Sequence, residues 1–503
     1  MRRSMNWLDL NLASLGRLAN SGLDGLFTIS PRGRTRWIAY AWYLGLFSLG
    51  AALWGYLLNW GQISFGLHDW AELTGHRLAF LQNAVRSGQL PLHMPDGSAL
   101  GNVTDRFLAF PDTIFSPQLV LLRFLALGPF VLVNTLLLYA AGFAGLVLLG
   151  RRLRLSAFAF SVIFFLFNFN GHITDHLVVG HMEWVGYFLL PLFILLVLEA
   201  LDGQVGWRWT LQLSLVLLFI FLQGGFHLFE TCLTFLGLLA ISSRRMLRPI
   251  GVGIGFSLLV SMGRILPPAL EFRNIDSKFL SGFETVGQLV QALVQMRIPV
   301  PEQVFSRSPL SPLGWWEIDH YIGVLGLAFL LGYGLLYASR NKPAGLQLSR
   351  LGVPLVGMTI LSIGRIYKLI SLAGIPLISS QRVSSRFFIL PLLFLLVLAA
   401  ANLQSHLNRL RRSGATPALA LALALFGVGV NDLWQHAKLW RFERMFELFA
   451  NLQVDLTGEF IANHPDPAYA LALGIGWAVA ALTLIALVYL AARESRAPAG
   501  NDG

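Results

Sequence analysis

Apolar positions along this 503-residue chain gather into runs of roughly twenty residues, rather than the short periodic stretches of soluble helices and strands. The runs cover residues 37–60, 129–149, 155–170, 184–201, 209–223, 225–241, 249–267, 321–338, 351–366, 386–403, 416–433 and 468–492. Each is about the length an α-helix needs to cross the hydrocarbon layer. The pattern therefore predicts an all-α, polytopic membrane protein with about 12 transmembrane helices. The two runs that meet at Gln223-Gly224-Gly225 read either as one long tilted helix or as two short helices broken at the glycines.

The polar segments between the runs alternate in character. Arg2, Arg3, Arg17, Arg32, Arg34 and Arg36 precede the first run, and Arg151, Arg152 and Arg154 follow the second. Arg208 comes next, then Arg244, Arg245 and Arg248, then Arg340, Lys342 and Arg350, then Arg409, Arg411 and Arg412, and finally Arg493 and Arg496. Basic residues stay on the cytoplasmic side, so both termini are expected in the cytoplasm of a cell (inner) membrane protein. That alternation holds only if the chain turns back at Gly224-Gly225, which favours two helices there. The outer face then receives segments 61–128, 171–183, 268–320, 367–385 and 434–467, which are rich in Trp, His, Asp, Glu, Pro and Gly. The chain divides into a cytoplasmic interfacial segment 1–36, with an amphipathic pattern over 5–27, a single transmembrane domain 37–492 and a tail 493–503.

Composition sharpens this picture. Hydrophobic residues make up 55%, charged residues 13%, and mean hydropathy is +0.63, against roughly 25% charged residues in soluble domains. The net charge of +11 sits mainly at the ends of the runs and reads as topology, not as a nucleic-acid surface. The lone Cys232 excludes an internal disulfide and any CxxC site. The first 36 residues carry no long apolar core, so the first membrane helix is expected to act as the insertion signal. No GxxxxGK[ST] loop is present.

Candidate chemistry concentrates in the outer segments. The first places His68-Asp69 just beyond the first helix, followed by an amphipathic helix over 70–87 that carries Arg77. A carboxylate there suits a general base for an acceptor hydroxyl, and equally suits a helix cap. Asp105 and Asp112 lie further along and serve either as second acids or as turn formers. His172, Asp175, His176, His181 and Glu183 fall within thirteen residues, a density that makes a divalent metal conceivable and a polar cavity lining the plainer reading. His227 and Glu230 share one face of a helix near its outer end. Trp315, Trp316, Glu317, Asp319 and His320 would form a sugar platform, or simply an interfacial aromatic belt. Arg382 and Arg386, four residues apart at a helix start and against the positive-inside trend, suit a phosphate group, with Arg264 and Lys368 as possible assistants.

Several of these elements fall in a familiar order. An acid just after the first helix, an amphipathic helix, Leu90-Pro91-Leu92-His93, Gly97 and Gly101, Asp105, and Phe110-Pro111 before the next apolar run resemble the GT-C superfamily of bacterial polyprenyl-phosphate-sugar-dependent glycosyltransferases. Gly171-His172 and the Arg-x-x-x-Arg-Phe pattern at 382–387 are similar to features of the same superfamily. The resemblance implies a GT-C-like fold and sugar transfer from an outer-leaflet polyprenyl phosphate to a lipid, glycan or protein hydroxyl. It also implies that Asp69 is catalytic and that Arg382 and Arg386 hold the lipid phosphate. Where many members carry paired acids after the first helix, this chain has His68-Asp69. A transporter or flippase, or a non-catalytic subunit, remains an alternative for a chain of this layout. Membrane lipids are expected partners in each case.

Overall fold

The computed structural model describes residues 25–29, 34–94, 104–271, 281–297, 314–337, 348–371, 381–448, 453–456 and 461–496. Among the described residues the only β pairing consists of isolated bridges, His93 with Arg106, Ser281 with Val383 and Phe283 with Ile363. The remaining regular elements among the described residues are helices. In chain order the helices are α1 (Arg34–Leu57), α2 (Gly75–Ser87), α3 (Leu127–Arg152), α4 (Ala157–Asn168), α5 (Gly171–Val179) and α6 (Leu190–Leu201). There follow α7 (Trp207–Leu222), α8 (Phe226–Ser242), α9 (Arg244–Val260), α10 (Met262–Glu271), α11 (Val286–Val294) and α12 (Gly323–Phe329). The series ends with α13 (Leu348–Leu361), α14 (Gly364–Ser371), α15 (Ile389–Arg412), α16 (Thr416–Leu439), α17 (Phe442–Leu448) and α18 (Pro467–Arg496).

Seven stretches are long and apolar enough to cross a membrane: Trp37–Leu57, Leu127–Arg152, Ala157–Val179, Met182–Leu201, Ser384–Arg412, Thr416–Leu439 and Pro467–Arg496. The pair α9 and α10, bent by 74° between Val260 and Met262, makes an eighth if it is one broken span. Shorter apolar helices occupy Trp207–Leu222, Phe226–Ser242, Gly323–Leu336 and Arg350–Leu361. The chain is thus an all-α membrane protein, and each apolar run of the sequence falls on a helix. Because lipid offers backbone groups no hydrogen bonds, these runs satisfy their amides internally.

Two glycines explain breaks that position later chemistry. Gly224 has φ +84°, and a Cβ there would lie 2.5 Å from the Asp112 carbonyl oxygen. It separates α7 from α8, the break favoured by the charge alternation. Gly180 has φ +107° and ends α5 in the left-handed conformation, where its missing side chain lets the chain pass beside Trp70.

The expected outer segment 171–183 has a different form. Residues 171–179 are a buried helix, α5, that follows α4 after Phe169 and Asn170 alone. Asn170 makes this tight passage possible: its Nδ2 donates to the carbonyls of Leu166 and Phe167 and to the Tyr187 hydroxyl, so the end of α4 is satisfied without water. Likewise 434–439 continue helix α16 instead of opening a loop. The expected helix 70–87 is present, with a π-turn over Trp70–Thr74 leading into α2. Of the interfacial stretch 5–27, only 25–27 lie within the described residues, and these are helical.

Three of the basic turns meet around residues 201–208. Arg152 pairs with Asp202 at 2.6 Å, the Glu494 carboxylate accepts from the Arg208 N–H at 2.9 Å, and Arg350 donates to the Leu201 carbonyl at 3.0 Å. Elsewhere Arg264 is buried and donates to the carbonyls of Phe110 at 3.1 Å and Thr113 at 2.9 Å. Arg264 thereby fixes the irregular stretch after α2.

Candidate functional site

The site is assembled from five separate segments. Asp69 stands at the start of the π-turn over Trp70–Thr74, directly after His68, whose φ of +40° is unusual for a side chain of that size. Trp70 donates its indole N–H to the Val178 carbonyl at 2.9 Å, and the Thr74 hydroxyl donates to the Gly180 carbonyl at 2.7 Å. These bonds hold the first loop against the end of α5. As a result His181, just past Gly180, meets Asp69: its Nε2 lies 2.6 Å from Asp69 Oδ2, while His68 Nδ1 lies 3.2 Å from Oδ1.

From His181 the contacts run inward. Its Nδ1 lies 2.6 Å from Nδ1 of His176, so one ring must donate and the other accept. His176 Nε2 faces Glu317 at 3.9 Å, and Glu317 is held by Arg386 in a two-bond fork, Nε to Oε2 at 2.9 Å and Nη2 to Oε1 at 2.6 Å. Trp184 forms a floor, stacked on His176 at 4.7 Å with the Arg386 guanidinium 5.3 Å from its ring centre. His172 packs on His176, Trp184 and His320, at 4.6, 4.6 and 4.8 Å between ring centres. Trp316 closes the outer side by contacting His68 at 4.6 Å.

Electrostatics follow from this geometry. Burial works against charge on Asp69, but the hydrogen-bonded imidazoles of His181 and His68 outweigh it and hold the carboxyl well below its ordinary range. Burial likewise works against protonated His181, yet the charge and hydrogen bond of Asp69 push it up to about 9. A doubly protonated His181 donates from Nε2 to Asp69 and from Nδ1 to His176, which accounts for both short contacts at once. Glu317 is buried, which opposes its charge, and the Arg386 guanidinium nonetheless keeps it below the usual carboxylate range.

The candidates from the sequence separate into groups. His68, Asp69, His176, His181, Glu317 and Arg386 come together, whereas Arg77 pairs with Asp112 at 3.1 Å in the first loop. Burial opposes charge on Asp112 and the Arg77 guanidinium overrides it, holding this carboxyl low. Glu183 opens the 3-10 turns over Met182–Leu189 beside His181. Asp319 is fully buried with both oxygens engaged: Oδ2 accepts from Trp315 Nε1 at 2.7 Å and faces His436 at 3.0 Å, and Oδ1 accepts from the Tyr321 N–H at 2.8 Å. His320 is also fully buried, with Nδ1 at 2.8 Å from the Ile318 carbonyl. These two residues brace the platform from below instead of presenting a surface. Arg382 and Arg386 do not share a helix face. Helical turns begin only at Ser384, and Arg382 lies before them, exposed, its carbonyl accepting from Ser281. Asp105 pairs with His464 at 2.7 Å in a different cluster.

Trp184 and His436 were not singled out by the sequence. Trp184 follows His181 and Glu183 closely enough for helical turns to bring it beneath them, a signal that was there to read. His436 comes from α16 with no local cue. For a metal, one ligand atom from each of His68, Asp69 and His181, or of His176, His181 and Glu317, lie within 4.8 Å of one another. Either set offers nitrogen and oxygen donors of a kind zinc or manganese accepts. No family model matches this chain, and no curated protein or solved structure shows a significant likeness to it.

Proposed function

We propose that the protein is a GT-C-type glycosyltransferase of the cell (inner) membrane that moves a sugar from a polyprenyl phosphate to an acceptor hydroxyl on a lipid, glycan or protein. The reading takes both termini as cytoplasmic and the twelve apolar helices as the crossings. The observation that carries it is the file of neighbouring side chains Asp69, His181, His176, Glu317 and Arg386, buried beyond Asp69, with a carboxylate at one end and a guanidinium at the other. Sugar transfer from a lipid phosphate needs those two groups at a distance from each other. The acceptor oxygen attacks the anomeric carbon, the carbon–oxygen bond to phosphate breaks, the acceptor proton passes to Asp69, and the lipid phosphate departs with its negative charge against Arg386. Arg386 uses Nε and Nη2 for Glu317, which leaves Nη1 outside that fork for a phosphate oxygen. Asp69 is one-fifth exposed, the most open acid of the file, as a group that meets an incoming acceptor must be. An acceptor hydroxyl that displaces one imidazole from Asp69 returns the carboxyl towards its ordinary range and makes it a better base.

A second reading is a carrier for a lipid-linked or small polar substrate. It is favoured by the fully buried set Asp175, Asp319 and His436, an enclosed cluster of ionisable groups of the kind that can serve ion or proton passage. The test is release of polyprenyl phosphate from a panel of polyprenyl phosphate sugars by purified protein with a cell-lipid acceptor extract. Wild type is expected to turn over one donor. Asp69→Asn is expected to lose about 100-fold or more of that rate with donor binding retained, and Arg386→Gln to bind donor less tightly. Equal rates in wild type and Asp69→Asn would remove Asp69 from the chemistry.

A further inference from the structure

A second histidine–carboxylate cluster lies away from the file just described, where the first loop meets the segment before α18. The bridge between His93 and Arg106 folds the chain after α2 back on itself, with Met94 N–H donating to the Asp105 carbonyl at 2.8 Å, and so sets Asp105 beside His93. Asn463, 370 residues later in the chain, locks onto this turn. Its Oδ1 accepts from the His93 N–H at 3.1 Å, and its Nδ2 donates to the Leu90 carbonyl at 3.0 Å. The next residue, His464, stacks on His93 with 3.9 Å between ring centres and lies 2.7 Å from Asp105 through its Nε2.

His93 is the anomaly. It is only 1% exposed, yet among the described residues neither ring nitrogen has a partner within 3.5 Å. Asp466 Oδ2 stands 3.6 Å from Nε2, beyond hydrogen-bonding reach, and is itself held by Arg106 at 2.7 Å. A buried imidazole with only this distant carboxylate beside it forfeits much of the solvation of its two ring nitrogens. One ligand atom each of His93, Asp105 and His464 lie within 4.8 Å of one another. Among the described residues, the carboxylates of Asp105, Asp466 and Glu271 lie around the place, and the Arg106 guanidinium bridges the last two. Two imidazoles set among carboxylates suit a divalent cation.

We infer that His93, Asp105 and His464 form a zinc site that clamps the first outer loop to the segment entering the last helix. Two imidazoles and one carboxylate match the donors zinc prefers, whereas magnesium and calcium favour all-oxygen shells. Soft copper(I) would seek sulfur, which the cluster lacks. Binding one ion satisfies the orphaned His93 nitrogen, replaces the proton that Asp105 holds on His464, and joins parts of the chain that are otherwise tied by Asn463 and Arg106. His464 and Asp105 are about half exposed, so a fourth position stays open to water. This inference is independent of the transferase reading.

The test uses the full chain purified in detergent, stripped with chelator, returned to zinc and desalted. Metal per chain is measured by elemental analysis and the unfolding midpoint with and without zinc. Wild type is expected to retain one zinc per chain and to unfold at a higher temperature with it. His464→Asn, at an exposed position that leaves the core intact, is expected to lose both the ion and the zinc-dependent shift, and Asp105→Asn to weaken both. Asp69→Asn, in the buried file, is expected to keep both. Wild type without zinc, His464→Asn with undiminished zinc, or loss of the ion in Asp69→Asn would each overturn the inference, the last by placing the metal at the buried cluster.

Discussion

Asp69 and Asp105 make almost the same bond. Each offers Oδ2 to a histidine Nε2, at 2.6 Å to His181 and 2.7 Å to His464. Their surroundings differ sharply: the His181 and Asp69 side chains are 7% and 21% exposed, those of His464 and Asp105 51% and 44%. Water screens the second pair and leaves its members free to rearrange, while the first is locked between Trp70, Gly180 and the His176–Glu317–Arg386 file. The same contact is therefore a tuned electrostatic element in one place and a weak surface tie in the other, unless a cation joins the second.

The largest effect should come from breaking the fork of the buried file. Arg386→Ala leaves Glu317 buried without its partner and is expected to cost about 3–5 kcal/mol in denaturant unfolding. Removing both side chains is expected to cost less than the sum of the single losses, because no lone charge stays behind. Next comes Gly180→Ala, which forces a side chain into a φ of +107° with its Cβ 2.5 Å from the Trp70 nitrogen. A loss of about 1–3 kcal/mol is expected, with transfer activity falling together with stability as His181 moves off Asp69.

A third test uses pH. His181 titrates near 9 in the folded protein, above the ordinary value of 6.5. Between those values the folded state holds a proton that the unfolded chain has given up. This stabilisation is complete below about pH 6.5 and is lost as pH rises through about 9. Unfolding midpoints measured across that window are expected to fall in wild type and to fall much less in Asp69→Asn. The smallest effect is expected from Asp105→Asn in metal-free buffer, where the midpoint should stay within measurement error of wild type. A large drop there would contradict the picture of a screened surface pair.

The all-helical membrane class was legible in the sequence because apolar length reports directly on a membrane helix. The runs fall on helices, seven of them in stretches long and apolar enough to cross a membrane, and the break at Gly224 was expected from the glycines together with the arrangement of arginines. The helix over 171–179 is not legible in the sequence, because its histidines and acids look solvent-loving, whereas in the fold Asn170 satisfies the turn and their rings pack on one another and on Trp184. Arg382 and Arg386 seemed equivalent by spacing, and only the late start of the helix at Ser384 separates them. The partnership of His93 with His464 was beyond reach, because stacking across 371 positions leaves no local trace.

The most direct measurement of the central claim uses proteoliposomes that carry a polyprenyl phosphate sugar, labelled in the sugar, together with an acceptor extract. It follows in the same vesicles both release of polyprenyl phosphate and passage of intact donor across the bilayer. The transferase account predicts that wild type releases lipid phosphate while labelled sugar moves to acceptor, and that Asp69→Asn slows this by about 100-fold or more. Intact donor crossing the bilayer without release, at equal rates in wild type and Asp69→Asn, would contradict it and favour a carrier.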